Sequence, residues 1–150
     1  MKQTVFAVCV SLLILPACRK SNSNSGNNGI LGSWKLIKVY DKSTATTIYP
    51  PAGSNKDIVI TFQSGNSFNG NTLVNTFSDG TFTINGNQIA FVNFSMTKAG
   101  EDKLGESFLY VLHACSLQSI TPCAPSEITI HGNKMKIAPV LRYDITLEKL

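Results

Sequence analysis

Between residues 57 and 63, apolar Ile58, Ile60 and Phe62 alternate with Val59, Thr61 and Gln63, the spacing of a strand with one buried and one wet face. Tyr143, Ile145 and Leu147 alternate with Asp144, Thr146 and Glu148 in the same way and predict a closing strand. Residues 34–40 open the domain less regularly. Asn85-Gly86-Asn87 separates the apolar-rich runs 81–84 and 89–92, and Gly132-Asn133 separates 128–130 from 135–137. Asn and Gly accept positive φ, so both places predict hairpins. About seven strands are expected on this reading. One segment departs from it: Leu104, Phe108, Val111, Leu112 and Cys115 recur at helical spacing behind Glu101 and Asp102. That is an amphipathic helix with acids at the positive end of its dipole, ending around 116–119 ahead of Pro122. Its stripe reads as core packing. The expected fold is mainly β, a small antiparallel barrel-like sheet plugged or flanked by one amphipathic helix.

Outside this domain the pattern changes. Lys2 precedes an uncharged run from residue 5 to residue 15, closed by Ala17. The run is too short for a span of roughly 20 residues and has the form of a secretory signal peptide. Its end, Leu15-Pro16-Ala17-Cys18, resembles the lipobox of bacterial lipoproteins, although Pro16 replaces the usual small or hydroxyl residue. The resemblance implies cleavage before Cys18, lipid on its thiol and on the new N-terminus, and a lasting membrane anchor. Residues 19–29 are Arg-Lys followed by Ser, Asn and Gly only. That composition predicts a flexible tether with an end-to-end distance of roughly 18 Å. The expected organisation is therefore a signal peptide at 1–17, a lipidated cysteine and tether at 18–30, and one domain at 31–150. The expected location is the cell envelope, lipid-anchored, most naturally at the outer membrane.

Without the signal the chain carries 12 Lys and Arg against 9 Asp and Glu. The positive charges are scattered and no basic run is interleaved with aromatics, so a nucleic-acid partner is not expected. Of the four cysteines, Cys9 leaves with the signal and Cys18 takes lipid, which leaves Cys115 and Cys123. In an oxidising compartment a disulfide is the natural reading, and two reduced buried thiols are the alternative. His113 and His131 are the only histidines, too few for a metal site, and no cofactor is expected. Gly65-Asn66-Ser67-Phe68-Asn69 only approaches a nucleophile elbow, and Glu101, Asp102 and Glu106 read as a solvated helix face. No glycine-rich phosphate loop is present. No catalytic residue is assigned, and the chain is not read as an enzyme.

The order of motifs resembles the META or HslJ-like domain of small bacterial envelope proteins. The pieces are Leu31-Gly32-Ser33-Trp34-Lys35-Leu36, then Ile60-Thr61-Phe62 leading to Phe68-Asn69-Gly70-Asn71 and Asn75. They continue through the hairpin 80–91, Ser95-Met96-Thr97-Lys98 and Glu106-Ser107-Phe108-Leu109-Tyr110-Val111-Leu112, and end with 130–137. Two departures stand out: Leu73-Val74-Asn75 where the family often has Gly-Cys-Asn, and Ala99-Gly100-Glu101 where it often has a cysteine. No family cysteine role is carried over, and a bridge between Cys115 and Cys123 would be a local replacement. The resemblance implies a barrel-like fold and a non-catalytic structural, stress-related or interaction role in the envelope. Gly32-Ser33-Trp34 also looks like the Gly-x-Trp opening of lipocalins, which implies binding of a small apolar ligand. A third reading is an enzyme inhibitor presenting the Pro-flanked segment 116–126 to an envelope protein.

Overall fold

The computed structural model describes residues 29–113 and 125–150. In chain order the elements are β1 (Gly32–Asp41), β2 (Thr46–Ile48), β3 (Val59–Gln63), β4 (Ser67–Asn71), β5 (Thr76–Asn85) and β6 (Gln88–Met96). They are followed by α1 (Lys103–His113), β7 (Ser126–His131), β8 (Lys134–Ala138) and β9 (Tyr143–Lys149). Every strand pairing is antiparallel, and apart from β2 each strand pairs with its neighbour in sequence. β9 returns to pair with β1 from Trp34↔Lys149 to Asp41↔Tyr143, which closes an eight-stranded up-and-down barrel. The short β2 lies outside this ring, paired with the end of β1.

The expected mainly-β barrel with a single helix is what the described residues form. Both predicted hairpins are present, with Gly86 at φ +61° and Gly132 at φ +60° in their turns. The expected count of about seven strands was low, because β2 and β4 carry little apolar pattern. In β4, Ser-Phe-Asn-Gly-Asn, only Phe68 is buried, and the strand exists because five residues pair with β3. The helix covers Lys103–His113, and its predicted continuation to 116–119 lies outside the described residues. Its stripe of Leu104, Phe108, Val111 and Leu112 is core, as the spacing implied.

Register defines two ends of the barrel. At the first lie the start of β1, the end of β9, the β3–β4, β5–β6 and β7–β8 hairpins, and the incoming Gly29. At the far end lie the end of β1, the β4–β5 and β8–β9 loops, and the connection from β6 into α1. Phe108 of α1 meets Phe77 of β5 with ring centroids 6.1 Å apart, and Tyr110 meets Tyr143 of β9 at 5.3 Å. β5 and β9 stand opposite one another in the ring, so α1 crosses the far mouth.

Candidate functional site

At the first end Trp34 is fully buried, and its indole N–H donates to the carbonyl of Ile30 at 2.6 Å. The partner is needed because an unpaired buried indole N–H would cost the hydrogen bond it gives up in leaving water. Lys149 of β9 holds its ammonium 5.3 Å from the centroid of that ring. This end is therefore stopped by an aromatic ring with a cation over it.

Inside the barrel, Phe62, Phe68, Phe77, Phe82, Phe91, Phe94 and Phe108 form one connected network, with ring centroids 5.2–6.4 Å apart. These are all the phenylalanines of the predicted domain. Each ring but the partly buried Phe94 contributes about 1.5–3 kcal/mol by burial, and favourable edge contacts add about 0.5–1.5 kcal/mol per pair. The rings pack onto bare backbone: a Cβ at Gly80 would lie 2.5 Å from two carbons of the Phe68 ring. Aromatic side chains thus occupy the centre of a barrel whose strand number is enough to hold one small ligand in other proteins.

Two polar clusters hold the far end. In the first, Glu101 Oε1 accepts from Thr72 Oγ1 and from Asn75 Nδ2, each at 2.6 Å. Asn75, 1% exposed, also donates to the Ala99 carbonyl at 2.8 Å and accepts from Thr97 Oγ1 and the Ala99 N–H, both at 2.8 Å. Thr72 Oγ1 accepts the Asn75 N–H at 2.8 Å, which shapes the β4–β5 loop. The cluster ties that loop to the segment leading into α1, where Asp102 caps the helix by accepting the Gly105 N–H at 2.7 Å. The solvated-face reading of the three acids therefore fails at Glu101, whose carboxylate is drawn inward by two donors; Asp102 and Glu106 are exposed.

In the second cluster, Asp41 at the end of β1 accepts from Arg142 Nη2 at 2.8 Å and from Nε at 3.1 Å, and from Ser43 Oγ at 2.6 Å. Arg142 beside it, and then Ser43, hold the Asp41 carboxyl well below the usual carboxylate range. Asp144 pairs with Lys42 and Lys136, each at 2.9 Å, and Lys42 Nζ also donates to the Pro139 carbonyl at 2.6 Å. Arg142 stacks 4.8 Å over Tyr143, which in turn meets Tyr110 of the helix. The β8–β9 loop is thereby pinned to β1 and to the helix that covers the mouth.

Cys18, Cys115 and Cys123 lie outside the described residues. His113 sits at the end of α1, its ring 4.7 Å from Phe94, and burial pushes its pKa below the ordinary value. His131 is exposed at the β7–β8 hairpin, the opposite end of the barrel. Among the described residues no group of three His, Cys, Asp or Glu could hold a metal ion, and none of their helices is long and apolar enough to cross a membrane. Ser67, from the near-match to a nucleophile elbow, opens β4 and donates to Gln63 Oε1 at 3.3 Å. Sequence reading missed both polar clusters. The signals available were the Thr-x-x-Asn turn at 72–75 and an aspartate closing an otherwise apolar strand face at 41.

No protein-family model matches the sequence, and no curated protein matches it. Solved structures do share the fold. A protein from Burkholderia xenovorans, determined by NMR, is 15% identical with a TM-score of 0.58 over 79% of this chain and 81% of that one. The crystal structure of a duf4847 family protein from Bacteroides vulgatus ATCC 8482 is 15% identical with a TM-score of 0.55, covering 82% of this chain and 95% of that one. At such identities the likeness is one of fold alone.

Proposed function

We propose that the chain is an envelope lipoprotein, cut before Cys18 and anchored by lipid there, whose barrel serves as a non-catalytic structural or interaction module. The observation that carries the module reading is the phenylalanine network, which places side chains where a carrier would place its ligand. The anchor reading rests on Leu15-Pro16-Ala17-Cys18, and the arrival of the chain at one end of the barrel suits it. The META or HslJ-like assignment rests on motif order. A disulfide between Cys115 and Cys123 belongs to the same proposal, with a lower melting temperature expected for the double serine variant only under oxidising conditions.

A second reading is favoured by one specific observation. Eight strands in sequential order, closed upon themselves, is the arrangement lipocalins use to hold a small ligand, and Gly32-Ser33-Trp34 opens the barrel accordingly. Titration of the chain with a fluorescent long-chain fatty acid separates the two. The module reading expects no saturable binding at micromolar concentration. One-to-one binding lost when Phe91 is changed to Trp, with the melting temperature retained, would replace it with the carrier.

A further inference from the structure

The β8–β9 loop presents Val140 and Leu141 to solvent, 78% and 48% exposed. Single exposed aliphatics are ordinary, but these two are adjacent and directly precede Arg142 and Tyr143, whose ring meets that of the partly exposed Tyr110. The tip is also held in place. Lys42 N–H donates to the Arg142 carbonyl at 2.9 Å, Lys42 Nζ donates to the Pro139 carbonyl, and Arg142 is locked on Asp41. Apolar groups fixed before binding lose little conformational entropy when a partner covers them.

Charge around the tip is layered. The Asp41 and Asp144 side chains are 2% and 11% exposed, whereas those of Arg142, Lys42 and Lys136 are 46%, 34% and 51% exposed. Three cations therefore overlie two buried carboxylates, leaving the cluster a net charge of +1 with its exposed members cationic. We infer that this face is a docking surface for a partner protein segment carrying acidic side chains around one or two aliphatic ones. Arg and Tyr, here Arg142 and Tyr110, are the residue types enriched among protein interface hot spots.

A protein is favoured over the anchoring bilayer by position, a clause that rests on the proposed anchor. Residues 19–29, as a flexible tether of roughly 18 Å, lead to the first end of the barrel, while the ten residues of β1 separate that end from this loop by up to about 30 Å. At that extension the loop is held farther from the membrane to which Cys18 is attached than the end where the chain enters.

The test uses the chain from residue 18 onward with Cys18→Ser, and two fluorescent probe peptides, one alternating Glu-Glu-Leu and one alternating Lys-Lys-Leu. The acidic probe is expected to bind and the basic one not. Binding should weaken about fivefold between roughly 50 and 300 mM salt, and fall about tenfold in Val140→Ser, Leu141→Ser with the melting temperature unchanged. Equal binding of the two probes, no binding of either, or full binding by the loop variant would overturn the inference. So would loop-dependent sedimentation of this lipid-free chain with phosphatidylglycerol vesicles, which would make the face a membrane contact. Since the test chain carries no lipid on residue 18, failure here leaves the anchor reading untouched. Failure of Cys18 acylation would alter only the direction in which the face points.

Discussion

Replacing Gly80 with Ala isolates the packing of phenylalanine rings on the β4–β5 backbone. The added Cβ would sit 2.5 Å from Cε1 and Cζ of Phe68 and 2.7 Å from Cδ1, so the ring has to move. It has nowhere easy to go, being 1% exposed and enclosed by Phe62, Phe77, Phe91 and Phe94 at centroid distances of 5.2–6.4 Å. Overpacking of this kind costs about 1–3 kcal/mol, offset by about 0.4–1 kcal/mol because alanine restricts the unfolded chain. Gly80 is not among the glycines with positive φ, so backbone strain adds nothing. The net expectation is a loss of about 1–2 kcal/mol, or roughly 4–8 °C in Tm for a domain of this size. Urea unfolding of Gly80→Ala, Phe68→Val and the double variant measures it. Phe68→Val alone costs somewhat less than the ~3–5 kcal/mol typical of Phe→Ala, and with the ring gone Gly80→Ala should cost almost nothing. Additivity of the two changes within about 0.5 kcal/mol would show that the ring is not the obstacle. Gly100→Ala, with no atom within 4 Å of its Cβ, is the matched control and should leave stability unchanged or slightly raised.

Asn75→Ala removes the four partly buried side-chain hydrogen bonds of a buried residue and leaves their partners unpaired, so a loss of about 2–4 kcal/mol is expected in urea unfolding; a loss below about 0.5 kcal/mol would deny the cluster its role. Asp41 has a folded pKa depressed by Arg142, so its stabilisation is present above the unfolded value near 3.9 and is lost as pH falls from there towards the folded value. The Tm deficit of Asp41→Asn should therefore be largest near pH 7 and shrink on acidification below about pH 4, and a deficit that grew with acidification would contradict the sign.

The local parts of this fold were legible and the long-range parts were not. Asn85-Gly86 and Gly132-Asn133 announce their hairpins because a turn of positive φ is decided by the residues in it. The helix stripe is equally local, and so is its acidic cap at Asp102. β4 escaped because its pairing with β3 and β5, not its own pattern, makes it a strand. A barrel-like sheet was expected from the strand-rich pattern, but the pair of strands that closes it was not, since no feature near Trp34 or Lys149 states that the two will pair. Both polar clusters join residues remote in sequence: Thr72 to Glu101 across 29 positions and Asp41 to Arg142 across 101. Single-residue patterns carry nothing about such pairs. Glu101 reads as an ordinary helix-entry acid until the β4–β5 loop folds against it.

The proposal that this barrel is anchored through Cys18 is tested most directly by the mass of the N-terminal peptide isolated from the membrane fraction. The account predicts a peptide beginning at Cys18 whose mass exceeds that of its residues by diacylglycerol and an amide-linked acyl chain. The Cys18→Ser chain should be recovered from the soluble fraction. An unmodified Cys18 in a chain that still partitions with membranes would contradict it.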